Sequence, residues 1–327
     1  MCPAETPAAF GAGTCARTGS ADIRNAISRS REDVVWRCIA YSCHEARFTN
    51  VPGPAERSGK CRRLPDAKLI QVSNLFAPYL RSIALRRELV RNFSSYPFAL
   101  PAVVGLKAMQ FPQPITFLIG ENGSGKSTLL EAIAVALGLN AEGGSKNFRF
   151  STRASHSELH GYLSLERGLT RPRDSFFFRA ETYYNVATEI EHLDTDEEVS
   201  SAPPIALAYG ERALHEQSHG ESFLALVMHR FQGRGLYLMD EPEAALSPMR
   251  QMSLLSRLHE LVVGGAQFII ATHSPILLAY PNATIYEFGA EGPLVTSYED
   301  TEHFRVTRDF LTRHPAMLRV LLDDDRG

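Results

Sequence analysis

Nine consecutive residues constrain this chain more than any others: Gly120-Glu121-Asn122-Gly123-Ser124-Gly125-Lys126-Ser127-Thr128. They match G-x-x-x-x-G-K-[ST] in full, between an apolar β-branched run, Ile115–Ile119, and a helical pattern over Ser127–Leu137 that stops at Gly138. A strand, a glycine loop and a helix in that order form a cradle for phosphates. The glycines let the backbone wrap closely, and the helix N-terminus adds the positive end of its dipole. Lys126 is then expected to face the β- and γ-phosphates, and the Ser127 hydroxyl to ligate Mg²⁺.

Further buried strands are expected at Phe176–Arg179, Leu236–Met239 and Phe268–Ala271, with a half-buried one at Leu80–Leu85. Helices are expected at 181–192, 219–231, 248–262 and 302–322. Strands alternating with helices indicate an α/β domain around a largely parallel sheet. Hydrophobic residues at 44% and charged residues at 22% supply a core and exclude a disordered or fibrous chain. A net charge of −3 gives no general field for nucleic acid, so charge does not indicate DNA as a partner. The sequence shows no membrane-spanning run and no secretory leader, and the expectation is a cytoplasmic protein without membrane insertion.

Residues 1–74 read as a poorly ordered N-terminal extension or a mis-assigned start. Residues 1–70 carry eleven Lys/Arg against seven Asp/Glu and no sustained hydrophobic period. All five cysteines (Cys2, Cys15, Cys38, Cys43 and Cys61) lie there. Cys38, Cys43, His44 and Cys61 could be read as zinc ligands, but their irregular gaps favour unpaired thiols.

Two more strand ends carry chemistry. Leu236-Tyr237-Leu238-Met239 runs into Asp240-Glu241. Asp240 is placed to complete a Mg²⁺ shell, and Glu241, on the other side of the strand by alternation, to poise a water for attack. Glu243 reads as a solvated charge at a helix N-terminus. His273 closes Ile269-Ile270-Ala271-Thr272, so residues 120, 240 and 273 are expected to converge on the carboxyl edge of one sheet.

Ser218-His219-Gly220-Glu221-Ser222, a capped helix start, precedes this set. In this order the chain resembles the ABC-class ATPases, whose Leu-Ser-Gly-Gly-Gln/Glu signature occupies that slot; here His219 replaces the first signature glycine and Gln217 the leading leucine. Residues ~79–322 look like bacterial stand-alone predicted ATPases of the AAA family, related to SMC and RecF. Lys146-Asn147-Phe148, His215–Ser222, Pro242–Pro248 and Ala271–Pro275 carry that likeness.

The resemblance implies a P-loop NTPase of the ABC ATPase type over 75–327. Its central sheet is mostly parallel, and its helical signature subdomain spans about 140–230. It implies ATP and Mg²⁺ as cofactors and a nucleotide-sandwich homodimer clamped in trans by Ser218, His219, Gly220 and Glu221. It assigns Glu241 and His273 to catalysis, Glu181 to the Q-loop slot, and Ala244-Ala245-Leu246-Ser247 to the D-loop, with Ser247 in place of the usual Asp. Tyr96, Phe98 and Phe111 are candidates for stacking on adenine. An unknown effector protein would take up the conformational switch. Two alternative functions share the same residues: a DNA repair or maintenance ATPase of the SMC or RecF type, and the nucleotide-binding subunit of a membrane transporter. The 91 residues between Lys126 and Ser218 are too few for a long coiled-coil arm, and the 54 after His273 too few for a nuclease domain.

Overall fold

The computed structural model describes residues 76–145, 157–182 and 219–322. The zinc candidates, Lys146-Asn147-Phe148, Ser218 and most of the helix expected at 181–192 lie outside the described residues.

In chain order the strands are β1 (Leu80–Leu85), β2 (Ala108–Gln110), β3 (Ile115–Gly120), β4 (Gly144–Ser145), β5 (Leu163–Arg167), β6 (Asp174–Arg179), β7 (Gly235–Asp240), β8 (Gln267–Ala271), β9 (Thr284–Gly289) and β10 (Gly292–Thr296). The longer helices are α1 (Lys126–Ala136), α2 (His219–Ala225), α3 (Pro248–Val263) and α4 (Glu302–Leu322). Seven strands form the main sheet in the order β10-β9-β3-β8-β7-β6-β4. The five central strands run parallel, and β10 and β4 close the edges antiparallel. A second, antiparallel sheet has the order β2-β1-β5.

Strand alternation sorts the main sheet's side chains onto two faces. Phe117, Phe178, Met239 and Ile270 pack with Phe223, Leu226, Leu254 and Leu258, from the segments around α2 and α3. Leu118, Phe177, Leu238 and Ile269 pack with Leu129, Leu130 and Ile133 of α1, and with Leu80 and Ile83 of β1. Because both faces are covered, the central strands are mostly apolar, as is usual in parallel sheets.

Two expectations change. The β9–β10 hairpin is absent from the sequence reading, although Thr284–Phe288 followed by a glycine-flanked turn carries the signal for it. The helix expected to 231 leaves α geometry at Ala225, passes through a π-helical turn over Leu226–Arg230 and becomes extended at Phe231. Arg257 of α3 explains where it ends. Its guanidinium donates to the carbonyls of Val227, Met228 and Phe231, which the terminating helix leaves free.

Candidate nucleotide-binding and hydrolysis site

Register builds the site. Arg179 pairs with Asp240, Asp240 with Ala271, Ala271 with Leu118, and Leu118 with Tyr286, so one row crosses five strands. Immediately beyond it the chain delivers Gly120 and its loop, Glu241, and Thr272-His273. The three strand ends therefore meet at one edge of the sheet.

At the loop, Glu121, Asn122 and Gly123 form an exposed tip, while Ser124 and Lys126 are buried. Thr128 is half-buried on α1. Gly125 caps α1 with φ +94°, and a Cβ there would lie 2.9 Å from Cβ of Leu100. Only glycine satisfies both the conformation and the space. The 100–102 segment braces the loop on that side, since Ala102 N donates to Ser124 O at 2.8 Å. Lys126 Nζ donates to the carbonyls of Gly120 and Glu121 at 2.8 and 2.9 Å. Burial pulls its pKa down, while the charges of Glu241, Asp240 and Glu243 oppose that shift.

Ser127 Oγ donates to Asp240 Oδ1 at 2.9 Å, joining the loop to the end of β7. A hydroxyl and a carboxylate held this close are hard oxygen donors of the kind Mg²⁺ takes, so the residues fit that ion. Buried polar atoms without a partner also cluster here: Ser124 Oγ, His273 Nε2 and His303 Nδ1. Such atoms carry a desolvation cost that a polar ligand would relieve.

Glu241 reaches its place differently from the sequence expectation. Strand β7 ends at Asp240, and Glu241 has φ +50°, so a left-handed turn rather than strand alternation aims its side chain. The turn is pinned where Glu241 N donates to Ala271 O at 2.9 Å. Its carboxylate Oε1 then lies 3.9 Å from His273 Nε2. Backbone strain of this kind gathers at functional sites, where surrounding structure holds it.

Glu243 is not a solvated helix charge. It lies five residues before α3, half-buried, and accepts a hydrogen bond from His273 N at 2.6 Å. Ser247 caps α3, accepting from Arg250 N at 3.4 Å. Glu181 lies in the turn after β6, with its side chain 77% exposed and 3.7 Å from Arg179. Phe98 and Phe111 are core residues, packed among Ile83, Val103 and Met109, so neither is open to a base. Tyr96 alone of the three is exposed. His219 and Gly220 open α2, and Glu221 follows within its first turn.

Arg179 is one residue missed by sequence reasoning. Its Nη1 donates to Glu131 of α1 at 2.7 Å, and its Nε lies 3.7 Å from Asp240 Oδ2. It closes the aromatic run Phe176-Phe177-Phe178 with a charge, and only the β6–β7 register reveals what that charge faces.

Asp240 is 4% exposed, and burial raises its pKa to about 6, against the lowering effects of the Ser127 hydrogen bond and Arg179. The folded chain thus holds the proton more tightly than the unfolded chain. Asp240 costs nothing below pH 4, costs progressively more as pH rises through 6, and destabilises the fold by about 3 kcal/mol beyond that. Asp240→Asn keeps an acceptor for Ser127 and removes the cost. Thermal unfolding should show the variant more stable than wild type at pH 8 and equal to it at pH 3.5. Mg²⁺ should stabilise the wild type only. Equal stability at both pH values would contradict this account of Asp240.

Comparison with known proteins gives two matching family models. One described as "AAA domain" covers residues 90–201, and one described as "AAA domain, putative AbiEii toxin, Type IV TA system" covers 155–279. The ABC-type transporter ATP-binding protein EcsA of Bacillus subtilis (strain 168) is 30% identical over 180 residues, 50% of this chain and 67% of that protein. Among solved structures, a nucleotide-free ATP-binding cassette from an ABC transporter is 17% identical with a TM-score of 0.40, covering 75% of this chain and 100% of that one. CbiO1 from Clostridium perfringens, part of the ABC transporter complex cbiONQ, is 15% identical with a TM-score of 0.39, covering 75% and 99%. The SMC head domain from Thermotoga maritima is 16% identical with a TM-score of 0.35, covering 67% and 98%.

Proposed function

The chain belongs to the ABC/AAA-class P-loop ATPases, and on that premise we propose that it hydrolyses ATP with Mg²⁺ at a site shared between two copies of itself. The observation that carries the reading is the Ser127–Asp240 hydrogen bond, which joins the glycine loop to an acidic strand end. Within that frame Lys126 gives up its two carbonyl partners for the β- and γ-phosphates, exchanging neutral acceptors for charged ones. Mg²⁺, when bound by Ser127 and Asp240, neutralises charge on the phosphates. Glu241 orients the attacking water and takes its proton. His273 is neutral at pH 7, because burial and the Lys126 charge lower its pKa to about 4; it serves as a hydrogen-bond donor rather than a cation.

The second copy supplies Ser218, His219, Gly220 and Glu221, with the start of α2 directed at the γ-phosphate. Hydrolysis loosens the clamp and so switches the dimer between two states that an effector protein can read. Among the described residues no helix is long and apolar enough to cross a membrane.

Phosphate release by the purified chain tests this reading. It should require Mg²⁺, stop with EDTA, and rise more steeply than linearly with protein concentration. Gly220→Arg places a bulky side chain where the partner's phosphate must approach. It should lower turnover by at least about tenfold, the loss typical of disturbing a group that stabilises the transition state, while each separate subunit still binds ATP. Undiminished turnover in Gly220→Arg would remove the contribution in trans.

A further inference from the structure

His273 does not stand alone. Its Nδ1 lies 2.9 Å from Nε2 of His303, in the first turn of α4, with ring centroids 5.1 Å apart at 47°. The start of α4 is tied to the loop that carries His273. Phe304 N donates to Oγ1 of the fully buried Thr301, the Tyr298 ring packs on Phe304 at 4.6 Å, and Tyr298 Oη donates to Pro275 O at 2.9 Å. The two imidazoles are therefore held in place by backbone and packing, not by chance side-chain approach.

At that distance two neutral rings share one proton, and only two arrangements are open. In the first, His273 Nδ1–H donates to His303. His303 then carries its own proton on Nδ1, a buried donor with no partner, and His273 turns a bare Nε2 lone pair toward the Glu241 carboxylate. In the second, His303 Nε2–H donates to His273 Nδ1. The His273 proton then sits on Nε2, 3.9 Å from the Glu241 carboxylate, an attractive approach although too long for a hydrogen bond, and the lone pair left without a partner is that of His303 Nδ1. Each arrangement leaves one ring N–H and one lone pair without a hydrogen bond, but the second aims its N–H at the Glu241 carboxylate where the first sets a lone pair against it, and the charges favour the second.

We propose that His303 is a positioning residue that fixes the tautomer of His273, holding the His273 proton on Nε2 toward Glu241 and the terminal phosphate. The idea rests on the reading of His273 as a γ-phosphate donor, and it assigns α4 a part in the reaction. Groups around the pair agree with two neutral rings. Burial lowers both pKa values, and Lys126 adds to the effect in each case; Glu302 opposes it at His303.

Full-length protein with ¹⁵N-labelled histidine tests this, the His273 resonances being assigned by their loss in His273→Asn. At pH 7 the wild type should show a neutral His273 protonated on Nε2. His303→Phe keeps the ring and removes the donor. It should shift His273 toward protonation on Nδ1 and lower kcat about tenfold, the worth of one orienting hydrogen bond, with KM for ATP nearly unchanged. His303→Gln restores a donor at the position of Nε2 and should recover both tautomer and kcat. A wild-type His273 protonated on Nδ1, or a tautomer unchanged in His303→Phe, would overturn the proposal. The resonances need no turnover, so a chain that released no phosphate would defeat the ATPase reading and still leave the tautomer decided.

Discussion

Glu241→Gln should slow phosphate release by about 10²–10⁴-fold, the range for removing a general base, while ATP affinity stays at or above the wild-type value. The substitution keeps the side chain's length and the backbone hydrogen bond from residue 241 to Ala271 O that pins the turn. It leaves Ser127, Asp240 and Lys126 in place and removes one of the carboxylates that face the lysine. Phosphates therefore meet a slightly more positive site. What disappears is the oxygen that, on the proposed mechanism, would accept a proton from water. Single-turnover phosphate release beside equilibrium ATP binding separates the two effects. A rate within a few-fold of wild type would place the base elsewhere.

Lys126→Ala should abolish ATP binding in the measurable range. Two charge-assisted hydrogen bonds to phosphate, at roughly 1.5–3 kcal/mol each, correspond to on the order of 10²–10⁴ in affinity. The fold should survive, because the hydrogen bonds of the lysine go to the carbonyls of Gly120 and Glu121, and water can take those acceptors once the side chain is gone. Titration calorimetry with ATP, beside a melting curve, is the measurement. Unchanged affinity in a folded variant would mean that this loop does not hold the phosphates.

The positions that local chain geometry sets were legible in the sequence. A glycine loop between strand and helix fixes where Lys126 and Ser127 stand, and an apolar strand ending in two acids fixes Asp240. Residues placed by long-range register or by an unusual backbone conformation were not. Arg179 faces Asp240 only because β6 lies beside β7, and nothing in Phe176-Phe177-Phe178-Arg179 states which strand is its neighbour. Glu241 obeys a left-handed turn rather than strand alternation, and Glu243, read as a solvated charge, is drawn inward to the His273 amide. His303 sits thirty residues after His273 on a helix whose docking depends on tertiary contacts. Aromatic type alone could not tell a base-stacking ring from a core ring, and burial removes Phe98 and Phe111 from that choice.

The claim at the centre is a site completed by a second copy of the chain. Molar mass by light scattering during size-exclusion chromatography tests it most directly, using Glu241→Gln with Mg²⁺ and ATP so that the clamped state persists. The account predicts a single species at twice the 36.2 kDa of the chain, reverting to the monomer without nucleotide or when Gly220→Arg is added. A Glu241→Gln protein that holds ATP and still elutes at the monomer mass would contradict it.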